Sequence, residues 1–229
     1  MLVRTATDLR PDRFPERFDA TIAANTLARG DASAALRTQY DRDEEIFVEG
    51  DEADRIYRVV SGAVRVCKVL SDGRRQIAGF YLAGGVFGLE ASAAHRFSAE
   101  AVVDTRLDVL SRAAVYGRAA RDPDYARSLW AMTGAHLDRA QEHMLLLGRK
   151  TAVERVAAFL LDMAERQGGL DQFDLPMSRT DIGDYLGLTI ETTSRVFTKM
   201  KQSGVIALLP SSHIDIRDFD ALEEMAEQG

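Results

Sequence analysis

Between Ile46 and Leu110 apolar residues come in short runs, IYRVV, AVRVCKVL, RQIAGFY and AVVDTRLDVL, separated by EGDEAD, SG, SDG and AGG. Runs of this length, rich in β-branched and aromatic residues and bounded by Gly and Asp, predict strands joined by tight turns. Ser71-Asp72-Gly73 is a good hairpin turn. Strands so spaced predict a small antiparallel barrel or jelly roll over about 40–112. Near Arg112 the period changes. From Asp124 to Leu147 no proline occurs, and Leu129, Met132 or Thr133, His136 or Leu137, Ala140, Met144 and Leu147 recur at three- and four-residue steps. That predicts one helix well beyond the usual three to four turns, interrupted only by Gly134. A helix this long, leaving one domain and entering another, is expected to pack on its own copy, with that stripe as the dimer interface. The plainer alternative is that the stripe covers the barrel.

After Gly148-Arg149-Lys150 a second helical domain begins. A helix over Thr151–Gln167 would bury Val153, Val156, Ala157, Leu160 and Leu161. The loop GGLDQFDLP follows, then two short helices flanking LGLT, then VIALL and HIDI around Pro210-Ser211-Ser212. The last pair reads as a small hairpin, or wing, and the acidic tail after Asp215 as a solvating segment. Residues 1–38 are polar and irregular, apart from an Ala-rich stretch (Thr21–Ala28) that suggests a helix. The expected architecture is α+β: an N-terminal arm (1–38), an antiparallel β jelly roll (39–121), a long dimerisation helix (122–148) and a winged helix-turn-helix (149–229).

Composition narrows the chemistry. Of 229 residues 46% are hydrophobic, enough for full cores, and the formal net charge is −7. A nucleic-acid binder with this balance needs a local basic surface, since global attraction is absent. One cysteine, Cys67, excludes an internal disulfide framework or a cysteine cluster. MLVRTATDLRPDRFPERF has no apolar secretory core, and no run approaches the roughly 18 apolar residues of a membrane span. A soluble, cytoplasmic protein with no membrane partner is expected.

The two short helices carry the most informative pattern. Ser178 is placed to cap the first, with Asp181 three residues on as its reciprocal partner. Gly187 closes that helix, and Thr189 caps the next, which runs to about Ser203. Two helices joined through a Gly-containing turn form a helix-turn-helix. At 100° per residue, Thr193, Val196, Phe197 and Met200 fall on one side of the second helix and Glu191, Ser194, Arg195 and Thr198 on the other. A surface helix with an i,i+4 Glu191–Arg195 pair would show the same arrangement. A major-groove helix explains more. Arg195 could bond guanine O6 and N7 while Glu191 accepts from the cytosine amino group, leaving Ser194 and Ile190 for neighbouring bases. A carboxylate facing phosphate is unfavourable unless it discriminates bases. The Thr189 and Thr192 hydroxyls at the helix N-terminus suit a phosphate, and Arg179 and Lys199 add positive charge.

The stretch SRTDIGDYLGLTIETTSRVFTKMKQSGVI resembles the Crp/Fnr superfamily of bacterial transcription regulators, in particular its FixK-type branch, through the E-x-x-S-R pattern of Glu191, Ser194 and Arg195. EGDEADRIYRVVSGAVRV and GFYLAGGVFGLE are similar to that family's cyclic-nucleotide-binding-like jelly roll, and TAVERVAAFLLDMAERQG to its helix entering the winged domain. The resemblance spans roughly 40–220. It implies a homodimeric transcription activator on double-stranded DNA, reading TTGA-like half-sites about one turn apart and touching RNA polymerase. It assigns Glu191, Ser194 and Arg195 to bases and Arg179, Thr189 and Thr192 to phosphates, with His213 at the wing a weaker phosphate candidate.

The departures are as informative. Nucleotide-binding relatives carry an Arg-Ser/Thr-Ala clamp, but GLEASAAHRFSAEA places Phe97 between Arg96 and Ser98-Ala99. The cysteines that hold an iron–sulfur cluster in oxygen-sensing relatives are missing. No cofactor and no small-molecule effector are therefore expected; the alternative is a sensor whose DNA binding depends on a ligand in the jelly roll. His136 and His143, seven apart, lack a further ligand at metal spacing. Gly84–Gly88 reads as a turn rather than a phosphate loop. Cys67 lies in a strand run as a small packed hydrophobe, with redox sensing as the other reading. No catalytic arrangement is found, so an enzyme is not expected.

Overall fold

The computed structural model describes residues 35–227, so the helix expected at Thr21–Ala28 lies outside the described residues. The described chain divides into two compact units, 35–142 and 143–227.

The first unit holds eight strands: β1 (Leu36–Tyr40), β2 (Glu45–Phe47), β3 (Arg55–Ser61), β4 (Ala63–Val69), β5 (Arg75–Leu82), β6 (Val86–Phe87), β7 (Ser98–Ala101) and β8 (Thr105–Ser111). They form two antiparallel four-stranded sheets, ordered β1-β8-β3-β6 and β2-β7-β4-β5. This is the jelly roll, with β1 beginning inside the segment assigned to the arm. The run AVVDTRLDVL is split between two strands in different sheets. Phe47, Tyr57, Val59, Val64, Phe87, Ala99, Leu107 and Val109 form one buried cluster between them. The turn Ser61-Gly62 needs its glycine twice over. Its φ is +91°, and a Cβ there would overlap the buried Thr105. The Thr105 hydroxyl in turn donates to Ala63 O at 3.0 Å and accepts from Ala63 N–H at 3.1 Å.

Buried charge in this unit is paired. Asp108 is 3% exposed and accepts from Arg37 Nε at 2.9 Å and from Arg58. Burial pushes its carboxyl up, but the two guanidinium bonds prevail and hold it below the usual range.

Two helices follow, α1 (Arg112–Ala119) and the long α2 (Pro123–Arg149). At 27 residues α2 is continuous through Gly134. In the first unit its inner face buries Tyr125 and Met132 beside Ile56, Val86, Leu110 and Val115, with Leu129 packed against the cluster. The second unit continues with α3 (Ala152–Arg166), β9 (Gln172–Asp174), α4 (Arg179–Leu186), α5 (Ile190–Gln202), β10 (Ile206–Leu208), a single 3-10 turn, β11 (His213–Ile216) and α6 (Phe219–Glu227). Thr151 caps α3 in a reciprocal box with Glu154, and Phe159, Leu160 and Met163 anchor its buried face.

Two expectations are corrected here. The loop GGLDQFDLP contains β9, which joins the wing to give an antiparallel sheet ordered β10-β11-β9. Three residues with only Phe173 buried leave too short an alternation to read. The acidic tail is the helix α6, which buries Phe219, Leu222 and Ala226. Of its carboxylates Asp220, Glu224 and Glu227 are exposed and Glu223 is half-buried.

Candidate nucleic-acid interface

Helix α4 starts as its residues dictate. The Ser178 hydroxyl accepts from Asp181 N–H at 3.0 Å, and Asp181 accepts from Ser178 N–H at 3.2 Å and from the Ser178 hydroxyl at 2.6 Å. Gly187 ends it with φ +64°, the left-handed conformation that favours glycine. Gly183 allows the two helices to meet, because a Cβ there would stand 2.7 Å from Leu188 O and 3.3 Å from Thr193 Oγ1. Thr189 then caps α5, accepting from Thr192 N–H at 3.2 Å. The sequence reading missed Gly183, since a glycine inside a helix carries no sign of what faces it.

Thr193, Val196, Phe197 and Met200 are buried, as the 100° wheel requires. On the opposite side Glu191, Arg195, Thr198 and Lys199 are exposed and Ser194 is half-buried. Thr189 and Ile190 stand exposed at the N-terminal end, with Thr192 half-buried beside them. No ion pair of 4.0 Å or less joins Glu191 to Arg195 among the described residues. The surface-helix explanation for that pairing therefore lacks its bond, and both side chains are exposed. The Glu191 carboxyl is held below its ordinary value, first by its own backbone N–H and then by the Thr189 hydroxyl. It is a carboxylate at neutral pH, an acceptor and not a donor.

Arg179 has a second role. Its guanidinium lies over the Phe197 ring, 3.4 Å from the centroid, and desolvation lowers its pKa to about 10. It is half-buried and braces the first turn of α4 on the buried side of α5. His213, expected at the wing as a phosphate contact, is on β11 and its Nδ1 sits 2.5 Å from Asp174 Oδ1. A carboxylate so close repels a phosphate, so the structure counts against that assignment.

The dimer stripe also divides. Met132 is 2% exposed inside the core of the first unit, Leu129 packs against that core, and His136 is half-buried beside Tyr81 with ring centroids 5.8 Å apart. Leu147 is half-buried, 3.5 Å from where a Gly187 Cβ would stand. Leu129, Met132 and His136 thus pack on the strand unit and Leu147 on the helical one. Leu137 and Met144 are exposed at 57% and 65%, and Ala140 is exposed too. The reading missed Trp130 and Leu145, at 82% and 62% exposure. Trp130, Leu137 and Met144 are spaced by sevens, which was the available signal.

The remaining chemistry has local explanations. His143 Nε2–H donates to Tyr185 O at 2.8 Å, and burial lowers the pKa of that ring. Cys67 is 1% exposed, and desolvation followed by the nearby Glu100 carboxylate pushes its thiol up to about 11. The Gly84–Gly85 segment is a turn, with Gly84 N–H donating to Val59 O and Val59 N–H to Gly85 O, both at 2.9 Å.

Comparison with known proteins places this geometry. The cyclic nucleotide-binding domain family matches residues 37–122, and the Crp-like helix-turn-helix domain family matches 154–225. The nitrogen fixation regulation protein FixK of Azorhizobium caulinodans is 48% identical over 212 residues, covering 89% of this chain and 86% of that protein. FixK of Rhizobium meliloti is 48% identical over 190 residues, covering 83% and 87%. The solved structure of FixK2 from Bradyrhizobium japonicum superposes with a TM-score of 0.80 at 48% identity, covering 83% of this chain and 96% of that one. With both domains matched in order and nearly half the residues shared along most of each chain, the protein belongs to the Crp/Fnr superfamily of transcription regulators, in its FixK-type branch.

Proposed function

We propose that the protein is a homodimeric transcription activator that reads a palindrome with TTGA-like half-sites through the helix Thr189–Ser203. The outward face of α5 carries this reading. An exposed carboxylate and an exposed guanidinium, not ion-paired with each other, stand one turn apart on a helix whose other side is locked into its domain. Arg195 is assigned to guanine O6 and N7, Glu191 to the cytosine amino group, and Ser194 and Ile190 to neighbouring bases. Thr189, Thr192, Arg179 and Lys199 are assigned to phosphates. The dimer seam is assigned to Trp130, Leu137, Ala140, Met144 and Leu145, and the activating partner to RNA polymerase. No described helix is long and apolar enough to cross a membrane.

DNA binding without a small-molecule effector is the reading supported by the loop after β6. Arg112 donates to Ser92 O at 2.9 Å and to Gly88 O at 3.0 Å. The buried His95 stacks on Phe47 at 3.6 Å and its Nδ1 meets Glu90. Ser98, the residue left at the clamp, accepts from Glu49 N–H at 3.0 Å. The loop is thus held by its own chain.

Purified protein without additives is expected to bind a TTGA-type palindrome, and Arg195→Ala should lose about 1–3 kcal/mol and relax preference at the G·C pair. Binding that appears only after a nucleotide is added would make the protein an effector-gated sensor. If the Arg195→Ala and Glu191→Ala proteins discriminated sequences as the parent does, the groove assignment would be wrong.

A further inference from the structure

Three main-chain carbonyls from separate elements converge on one side chain near the end of the long helix. Arg155, in the first turn of α3, donates through Nη2 to Leu147 O at 2.9 Å, through Nε to Lys150 O at 2.8 Å and through Nη1 to Leu186 O at 2.8 Å. Leu147 is in the last turn of α2 and Leu186 in the last turn of α4. Both helices point their negative ends at this spot, and carbonyls there lack intrahelical donors. One planar cation with five fixed donors answers both ends together. Gly187, left-handed at φ +64°, ends α4 and leaves the Leu186 carbonyl beside Arg155.

A second contact runs between the same two helices. The His143 ring stacks on Tyr185 with centroids 4.0 Å apart and an interplanar angle of 14°, and its Nε2–H donates to Tyr185 O. Tyr185 in turn rests on Phe159 of α3, 5.7 Å between centroids. The end of α2 is therefore fixed to the end of α4 within the unit 143–227. Two residues beyond Gly187 the chain enters α5, which carries Glu191, Ser194 and Arg195. The same last turns of α2 expose Met144 and Leu145.

We propose that Arg155, bridging the carbonyls of Leu147, Lys150 and Leu186, is a positioning residue that sets the separation of the two half-sites. The proposal rests on the dimer and groove assignments above. If the copies meet along Met144, the distance from the dyad to each α5 is fixed by this joint. One base pair more between half-sites moves a groove by about 3.4 Å and turns it by about 35°, so a rigid joint rejects the wrong spacing. Arg155 touches no base or phosphate in this scheme, and His143 reinforces it.

The test uses full-length protein and fluorescence anisotropy on duplexes that carry one pair of half-sites with spacers of the best length and one base pair longer or shorter. A duplex with a single half-site and a scrambled duplex complete the panel. The parent is expected to favour its best spacer by at least about tenfold, comparable to losing one base contact. Arg155→Met should compress the differences to about threefold or less, while preference for the single half-site over scrambled DNA and the dimeric state stay as in the parent. Arg155→Lys, whose ammonium cannot span three carbonyls, should fall between them. An unchanged spacing profile in Arg155→Met, even at lower overall affinity, reduces the residue to a structural role and overturns the proposal. If that variant does not fold, Arg155→Lys and His143→Phe decide the matter, and parental profiles in both overturn it. A parent without spacer preference also overturns it. A parent that does not distinguish the single half-site from scrambled DNA fails instead at the groove assignment.

Discussion

Replacing Leu137 by Asp and, separately, Met132 by Ala should separate the two faces of α2. Leu137 keeps 57% of its surface in water, whereas Met132 keeps 2%. Fully burying a leucine side chain is worth about 1.5–3 kcal/mol, so the part of Leu137 still open to burial holds roughly 1–1.5 kcal/mol per copy. A two-fold seam counts it twice, giving about 2–3 kcal/mol per dimer, or about 30- to 150-fold in Kd. Asp adds repulsion between like charges, so dissociation should exceed that range while the isolated chain changes by about 0.5 kcal/mol or less. Met132→Ala instead opens a cavity among Ile56, Val86, Leu110, Val115 and Tyr125, which costs about 2–4 kcal/mol of folding stability. Sedimentation velocity across the micromolar range reports the first effect and urea unfolding the second. A Leu137→Asp protein as dimeric as the parent, or a Met132→Ala protein that dissociates with an unchanged unfolding midpoint, would refute the division of faces.

Two further expectations concern single groups. Gly183→Ala forces a Cβ to 2.7 Å from Leu188 O, and overpacking of this kind costs about 1–3 kcal/mol; urea unfolding should show the loss together with weakened DNA binding, and a variant as stable as the parent contradicts it. The Cys67 thiol, raised to about 11 and buried, should react with iodoacetamide at pH 8 at least about a hundredfold more slowly than a free thiol until the protein is unfolded. Because its folded value lies above the unfolded one, near 9, its contribution is intact below pH 9 and is lost as the pH rises towards 11. Rapid native labelling would restore redox sensing as a reading.

What the sequence disclosed follows from how local each feature is. The capping box of Ser178 and Asp181, the left-handed Gly187 and the two sides of α5 each depend on residues within a turn or two of one another. The hairpin between β4 and β5 depends only on its turn and flanking strands. The long helix was harder, because it is apolar on two faces. Steps of three and four through 129, 132 and 136 follow the face that packs on its own domain, and steps of seven through 130, 137 and 144 follow the exposed one. Only burial separates Met132 from Leu137. Arg155 was illegible for a different reason: in the first turn of a helix it reads as an ordinary surface cation, and its acceptor at Leu186 is 31 residues away.

Charge sets a limit on how this domain holds DNA. Residues 150–227 contain eight Lys and Arg against fourteen Asp and Glu. Four of the eight cations are engaged: Lys150 donates to Ala226 O, Arg155 forms the joint, Arg166 pairs with Asp162 and Arg217 lies 3.6 Å from Asp215. That leaves Arg195, Lys199 and Lys201, together with Arg179, which rests on the Phe197 ring but has no anionic partner among the described residues. With Arg195 on a base, each half-site has three cations for phosphate, and a dimer has six. Each neutralised phosphate contributes about −0.9 to the slope of log K against log salt, so the slope should be close to −5. Affinity should therefore fall about a thousandfold between 50 and 200 mM salt, and on the proposed assignment the preference for the correct half-site comes from Glu191, Ser194 and Arg195. Anisotropy titrations over a range of salt concentrations measure the slope. A value approaching about −10 would require phosphate contacts well beyond this domain and would undo the argument.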